Sequence, residues 1–263
     1  MPERSALITF DDGLRNNYDV AFPVLAEHSI PAAIFLATEF VDSERFFWFD
    51  ELYFLLREAI KRRASLSDLN LDLPCKLNTA DLAGLYMEVV QAMKTMAQFD
   101  MEKRLNILRR EFEFDKKSLV DDFGVLSWSQ VREMNSSGLI EFGVHTANHR
   151  ILQHLARDEW EKELGEPRQM LSRVLGKEVL SFCYPNGRPG IDFEAVHVDY
   201  LRRCGYHLAF TTQARLHNSL HDDWLQIARI PAGHDFTSDP HFFRINTSGF
   251  CYPLRKTESN SLL

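Results

Sequence analysis

Short apolar runs recur along this chain and are separated by stretches with helical periodicity. Ser5 to Phe10 is one such run, ended by Asp11-Asp12-Gly13, and Pro31 to Ala37 is a second, with the amphipathic stretch Tyr18 to Ser29 between them. That order predicts strand, helix, strand. Further strand-like runs lie at Leu139 to Val144, Val179 to Tyr184, Tyr206 to Thr212 and Gln226 to Pro231, with helical patterns over Arg157 to Leu175 and around Asp192 to Cys204. Such alternation favours parallel strands joined by crossover helices, as a barrel or an open sheet. In both, the chemistry gathers at the carboxyl ends of the strands.

The stretch from about Val41 to Asp122 breaks the alternation. It carries helical periodicity with charged faces at Asp50 to Arg63, Thr79 to Met96 and Met101 to Phe114, and so reads as a helical insertion. Its start, Arg45-Phe46-Phe47-Trp48-Phe49-Asp50, is dense in aromatics. These either anchor the insertion to the rest of the chain or offer flat faces to the apolar faces of sugar rings. Residues 1–250 are expected to form one domain with this insertion at about 41–122, followed by a polar tail over 251–263.

With 45% hydrophobic and 26% charged residues in 263, the chain has the balance of a globular protein, which excludes bulk disorder. The 30 basic against 38 acidic residues give a net charge of −8, which argues against nucleic acid as a partner. No run of eighteen apolar residues occurs, so no transmembrane helix is expected. The opening apolar run is too short for a signal peptide, which makes the cytoplasm the expected location, although an N-terminal piece missing from the chain would leave the same start. Cys75, Cys183, Cys204 and Cys251 show no CxxC pairing and read as free thiols.

Two motifs follow strand-like runs. In Thr9-Phe10-Asp11-Asp12-Gly13, adjacent carboxylates reach one site only if the strand ends there and the chain turns, which Gly13 permits. In His145-Thr146-Ala147-Asn148-His149, histidines at i and i+4 fall on one face of a helical turn and can converge on a metal ion. Two imidazoles and a carboxylate make three ligands with positions left open, as in catalytic rather than structural metal sites.

These motifs resemble those of the polysaccharide deacetylase (NodB-homology) family, carbohydrate esterase family 4, whose first motif reads TFDDG and whose second reads H-S/T-x-x-H. The resemblance runs from about Ser5 to Phe243, interrupted by the insertion. It implies an α/β fold, a distorted (β/α)7-type barrel, and metal-dependent removal of N-acetyl or O-acetyl groups from a saccharide substrate. Carried over by position, Asp11 becomes the general base, and Asp12, His145 and His149 become ligands of one divalent ion, taken as zinc. Thr146 would brace the second motif by hydrogen bonding.

The third motif, Phe182-Cys183-Tyr184-Pro185-Asn186-Gly187, departs from the family pattern. Tyr184 and Pro185 are assigned to substrate binding with Trp48. Asn186 stands where a tyrosine is usual, but its backbone N–H can still serve an oxyanion. Cys183 occupies the place of an arginine that pairs with the base, and Arg229 is the replacement candidate. His234, after Ile230-Pro231-Ala232-Gly233, is the candidate general acid, although the leucine of the family's leucine-x-histidine motif is absent. His217 and His221 read as solvated. A two-carboxylate glycosidase is disfavoured because adjacent Asp11 and Asp12 are poorly placed to flank a glycosidic bond. A metal-dependent amidase on a small non-sugar amide and a non-catalytic carbohydrate-binding homologue remain as alternatives.

Overall fold

The computed structural model describes residues 5–64, 71, 81–218, 221–233 and 239–248. Strands β1 (Ile8–Phe10), β2 (Ala32–Leu36), β3 (Ile140–Val144), β4 (Ser181–Cys183) and β5 (Leu208–Phe210) form one sheet in chain order, each neighbouring pair parallel. Parallel neighbours need crossover connections. Helix α1 (Phe22–Glu27) supplies the first, and the insertion follows β2 with α2 (Trp48–Lys61), α3 (Leu82–Lys94), α4 (Gln98–Glu111) and α5 (Val120–Phe123). Then α6 (Trp128–Ser136) leads into β3, α7 (Glu166–Leu175) into β4 and α8 (Ala195–Cys204) into β5, while α9 (Pro240–Thr247) lies beyond the sheet. Since all strands point one way, the residues that follow them, Asp11, His145, Tyr184 and Thr211, share one edge of the sheet.

The sheet is curled. Phe35 on β2 and Phe210 on β5 have ring centroids 5.1 Å apart although β3 and β4 lie between their strands. A flat sheet with strands about 4.8 Å apart would separate them nearly threefold further. Gly143 on β3 makes this inner contact possible, because a Cβ there would stand 2.6 Å from the Phe35 ring and 2.5 Å from Ser181 Oγ. On the outer face Ile34, Leu36, Phe142, Val144 and Phe182 pack against Leu164, Leu171 and Leu201 of the flanking helices. All five residues of β2 are buried, as expected of a strand covered on both faces.

Of the six strand-like runs, five are strands. Gln226 to Pro231 yields only a single parallel bridge from Ile227 to Phe210. Ile227 N–H bonds Ala209 O at 2.7 Å, but the Arg229 N–H turns to Gln213 O and Pro231 has no N–H to give. The expected seven-stranded barrel is therefore a five-stranded half-barrel among the described residues. The insertion has its own apolar cluster, in which Leu52, Leu55 and Leu56 of α2 meet Val89 and Met93 of α3 and Leu105 and Leu108 of α4. Asp81 caps α3 by accepting from the Ala83 and Gly84 N–H groups. Among the described residues no helix is long and apolar enough to cross a membrane. The tail 251–263 lies outside the described residues.

Candidate metal centre and active site

After β1 the backbone enters the left-handed region at Asp12 (φ 72°) and Gly13 (φ 74°). This reversal keeps Asp11 and Asp12 at the strand end instead of on opposite faces. A side chain at position 13 would place its Cβ 2.6 Å from Leu36 Cδ2, so the turn requires glycine for space as well as for φ. Beyond β3, His145 and His149 sit in a turn with Thr146 (φ 59°) and His149 (φ 55°) also left-handed. The helical turn expected from their spacing does not form. The Thr146 carbonyl accepts from Thr38 N–H and its Oγ1 from Arg150 N–H at 3.0 Å, which binds the segment to the end of β2 as a loop. The imidazoles still converge, with ring centroids 4.9 Å apart.

Asp12 Oδ1 lies 3.4 Å from His145 Nε2 and 3.2 Å from His149 Nε2. Neither contact has hydrogen-bond geometry, and Asp12 Oδ1 is buried without a hydrogen-bond partner. His145 Nδ1 is 2.7 Å from the Cys183 carbonyl oxygen. A carbonyl only accepts, so Nδ1 carries the proton of the neutral ring and the Nε2 lone pair faces Asp12. Lone pairs on two imidazoles and a carboxylate then point into one space, a donor set that suits a borderline divalent cation. Without a cation the electrostatics are met by protons. Burial opposes charge on both partners, but the imidazoles hold the Asp12 carboxyl well below its usual range, and the nearby Cys183 side chain with the Asp12 and Asp11 carboxylates holds His145 well above its own. The residues present fit a metal ion.

Asp11 lies beside this cluster. Arg229 Nη1 and Nη2 donate to its two oxygens at 2.7 and 2.8 Å, and Arg229 is itself aligned by bonds from Nε to Thr211 O and from Nη1 to Thr9 Oγ1. Burial raises the Asp11 carboxyl, but the Arg229 bonds and nearby His145 offset this and leave it below its ordinary value. Cys183 lies beneath both motifs, its sulfur within 4.8 Å of donor atoms of Asp11 and His145, and burial pushes its thiol up, so it stays protonated.

The remaining candidates divide. Asn186 has φ 59°, its carbonyl accepts from Thr212 Oγ1 at 2.5 Å, and among the described residues its N–H meets no acceptor. Pro185 is buried beside it. Tyr184 turns into the core instead of toward a substrate: it is 1% exposed, its ring stacks on Phe193 and its hydroxyl donates to Leu225 O. Trp48 is half-buried against the insertion's apolar cluster. His234 lies outside the described residues. His217, expected in solvent, has a side chain only 8% exposed and packs on Trp224.

Two features of the site carry no sequence motif. Phe47 and Phe49 set their rings 5.3 and 5.4 Å from the His149 ring, so the start of the insertion walls the metal cluster. The next residue, Asp50, makes no hydrogen bond or ion pair among the described residues. Burial, with a smaller contribution from the Asp12 charge, pushes its carboxyl up to about 7.

Residues 1–209 match the polysaccharide deacetylase family profile. A poly-beta-1,6-N-acetyl-D-glucosamine N-deacetylase of Staphylococcus epidermidis is 27% identical over 148 residues, 54% of this chain and 48% of that protein. The chain thus spans about half the length of this curated relative. Among solved structures, the fold is similar to a Streptococcus pyogenes deacetylase in complex with acetate (TM-score 0.55, 16% identity, 94% of this chain and 72% of that one). It is likewise similar to IcaB from Ammonifex degensii (TM-score 0.51, 20% identity, 87% and 68%). A polysaccharide deacetylase from Bacillus cereus gives a TM-score of 0.54 at 19% identity, covering 92% of this chain and 50% of that one. With the profile covering most of its length and the curled parallel sheet shared with these structures, the chain belongs to the polysaccharide deacetylase family.

Proposed function

We propose that this protein is a metal-dependent hydrolase that removes N-acetyl groups from a saccharide. The observation that carries the reading is the juxtaposition of a cation-shaped donor set, Asp12, His145 and His149, with a carboxylate, Asp11, kept ionised beside it by Arg229. A divalent ion, zinc by the donor set, lowers the pKa of a water from about 15.7 toward about 7 and polarises a carbonyl oxygen. Asp12, His145 and His149 hold that ion, and the Cys183 carbonyl fixes the tautomer in which His145 can do so. Asp11 accepts the proton of the attacking water, a role that needs a free carboxylate at neutral pH. Arg229 aligns it and keeps it charged. The Asn186 N–H, unpaired among the described residues, donates to the oxyanion that develops on the acetyl carbonyl. His234 is assigned the proton for the leaving amine on the family resemblance.

The test is acetate release from N-acetylglucosamine oligomers by protein stripped with a chelator and then reloaded. Release is expected to vanish on stripping and to return with zinc. Release that survives complete stripping overturns the metal-dependent reading.

A further inference from the structure

Between the two histidines of the metal cluster stand Thr146, Ala147 and Asn148, in a loop whose ends are left-handed at Thr146 (φ 59°) and His149 (φ 55°). Residues other than glycine keep such a conformation only where their surroundings enforce it. Toward β2 the backbone does so: the Thr38 and Glu39 N–H groups donate to the Thr146 and Ala147 carbonyls. On the other side the grip comes from Glu163. The Ala147 N–H donates to the Glu163 carbonyl at 3.1 Å, the Asn148 N–H to Glu163 Oε2 at 3.0 Å, and Asn148 Nδ2 to Glu163 Oε1 at 3.1 Å. Asn148 is oriented from its far end as well, because Arg45 Nη1 donates to its Oδ1 at 3.3 Å.

The chain widens into a π-helical turn over Glu161–Gly165 just before α7. Two successive carbonyls of that turn accept from outside it, Glu163 O from the Ala147 N–H and Leu164 O from the Tyr206 hydroxyl at 2.8 Å. Single wide turns of this kind are frequent at functional sites. Glu163 is 3% exposed and makes no ion pair among the described residues. A buried carboxylate is costly unless hydrogen bonds and a nearby cation compensate. The Asn148 donors meet both of its oxygens, and a divalent ion on His149, the next residue in the chain, would offset its charge. Packing alone would be served at lower cost by an apolar side chain, so the choice of a carboxylate points to the cation.

We infer that Glu163 is a positioning residue of the metal centre: its carboxylate and its main-chain carbonyl hold Ala147 and Asn148 so that the His145 and His149 nitrogens stay converged on one ion. The inference rests on the proposed metal centre and not on the substrate. A loop released by Glu163 can leave its left-handed conformations. His149, at the far end of that loop, is then the ligand that moves, whereas His145 keeps its place through bonds to Leu36 O and Cys183 O. Outer partners of metal ligands typically alter affinity by about 10–100-fold.

The test is the zinc affinity of stripped protein, measured by competition with a chromophoric chelator, beside denaturant unfolding of stripped and zinc-loaded protein. In Glu163→Gln an amide N–H2 replaces one oxygen and faces the Asn148 donors. Its zinc affinity is expected to fall by about tenfold or more, and Glu163→Asp, with two acceptor oxygens on a shorter stem, to regain part of the loss. Loaded Glu163→Gln should then lose more stability than stripped Glu163→Gln, since weaker binding removes part of the stabilisation that the ion gives the folded state. A structural role alone lowers both equally and leaves the affinity unchanged, and that result overturns the inference. Should Glu163→Gln not fold, Asn148→Ala, which removes the Nδ2 donor and keeps the backbone N–H, takes its place: several-fold weaker zinc binding supports the inference and unchanged binding overturns it. A parent that binds no zinc overturns both this assignment and the metal-dependent reading. Zinc binding that depends on Glu163 without any acetate release overturns the deacetylase reading alone.

Discussion

Asp11 and Asp12 are adjacent in sequence and differ in what surrounds them. Asp12 faces two imidazoles, and Asp11 faces a guanidinium. A ligand acts in the resting protein, whereas a base acts only in the reaction. Asp11→Asn is therefore expected to keep its metal and lose turnover, and Asp12→Asn to lose both, as read by metal analysis of the purified variants beside acetate release. Equal metal loss in the two would sink the division of roles. Asp50 tests the electrostatics independently of the chemistry. Its carboxyl titrates near 3.8 in the unfolded chain and near 7 in the folded, metal-free protein. Between those values the folded state holds a proton that the unfolded state has released, so stability falls as pH rises from about 4 to 7. Removing the charge should cancel this term. Metal-stripped Asp50→Asn should match the parent at pH 4 and exceed it by up to about 4 kcal/mol above pH 7 in denaturant unfolding. A pH-independent difference would show that Asp50 does not titrate in this window.

At the scale of elements, most strands and the insertion helices were legible because their signals are local. The alternation around β2 to β5 and the amphipathic periods of α2, α3 and α4 need only nearby residues. The sixth run misled because apolar composition says nothing of where N–H groups turn, and Arg229 diverts its own to Gln213. The His145 and His149 imidazoles converge through two left-handed residues in a loop, not through the helical turn that their spacing predicts. Tyr184 was misplaced because a motif position does not state which face of a strand end points inward. Asp50 left no trace at all, since its environment is made by folding. Trp48 belongs to this scale because it joins α2 to the insertion's apolar cluster and also lines a cavity that Asn148 and Arg150 share. Being half-buried, it should cost about 2 kcal/mol on truncation to alanine, less than the 3–5 of a fully buried aromatic. A Trp48→Ala protein with an unchanged melting midpoint would remove Trp48 from the packing of the insertion.

For the whole molecule, the half-barrel leaves β1 and β5 as the two ends of a curled sheet, and a side chain spans the gap between them. Arg229 bonds Thr9 on β1 and Asp11 just after it with one end of its guanidinium and Thr211 after β5 with the other, and stands 218 residues from Asp11 in the chain. One residue thus fastens the fold and sets the charge of the proposed base. Both side chains are mostly enclosed, Arg229 at 17% and Asp11 at 30% exposure, so removing one partner leaves the other charge poorly solvated. Arg229→Ala should lose about 3 kcal/mol of stability, the lower end of the range for a buried pair. The pH dependence separates this from simple loss of packing. Arg229 holds the Asp11 carboxyl below its ordinary value, so the pair's contribution is present above the unfolded value of 3.8 and is lost as pH falls through the lower folded value. Without Arg229, burial acts on Asp11 unopposed by its main partner, and the acidic limb of the kcat/KM profile should move to higher pH, while Arg229→Lys should return it part of the way. An Arg229→Ala protein that is destabilised but keeps the parent's acidic limb would make Arg229 a fastening of the fold and remove it from the chemistry.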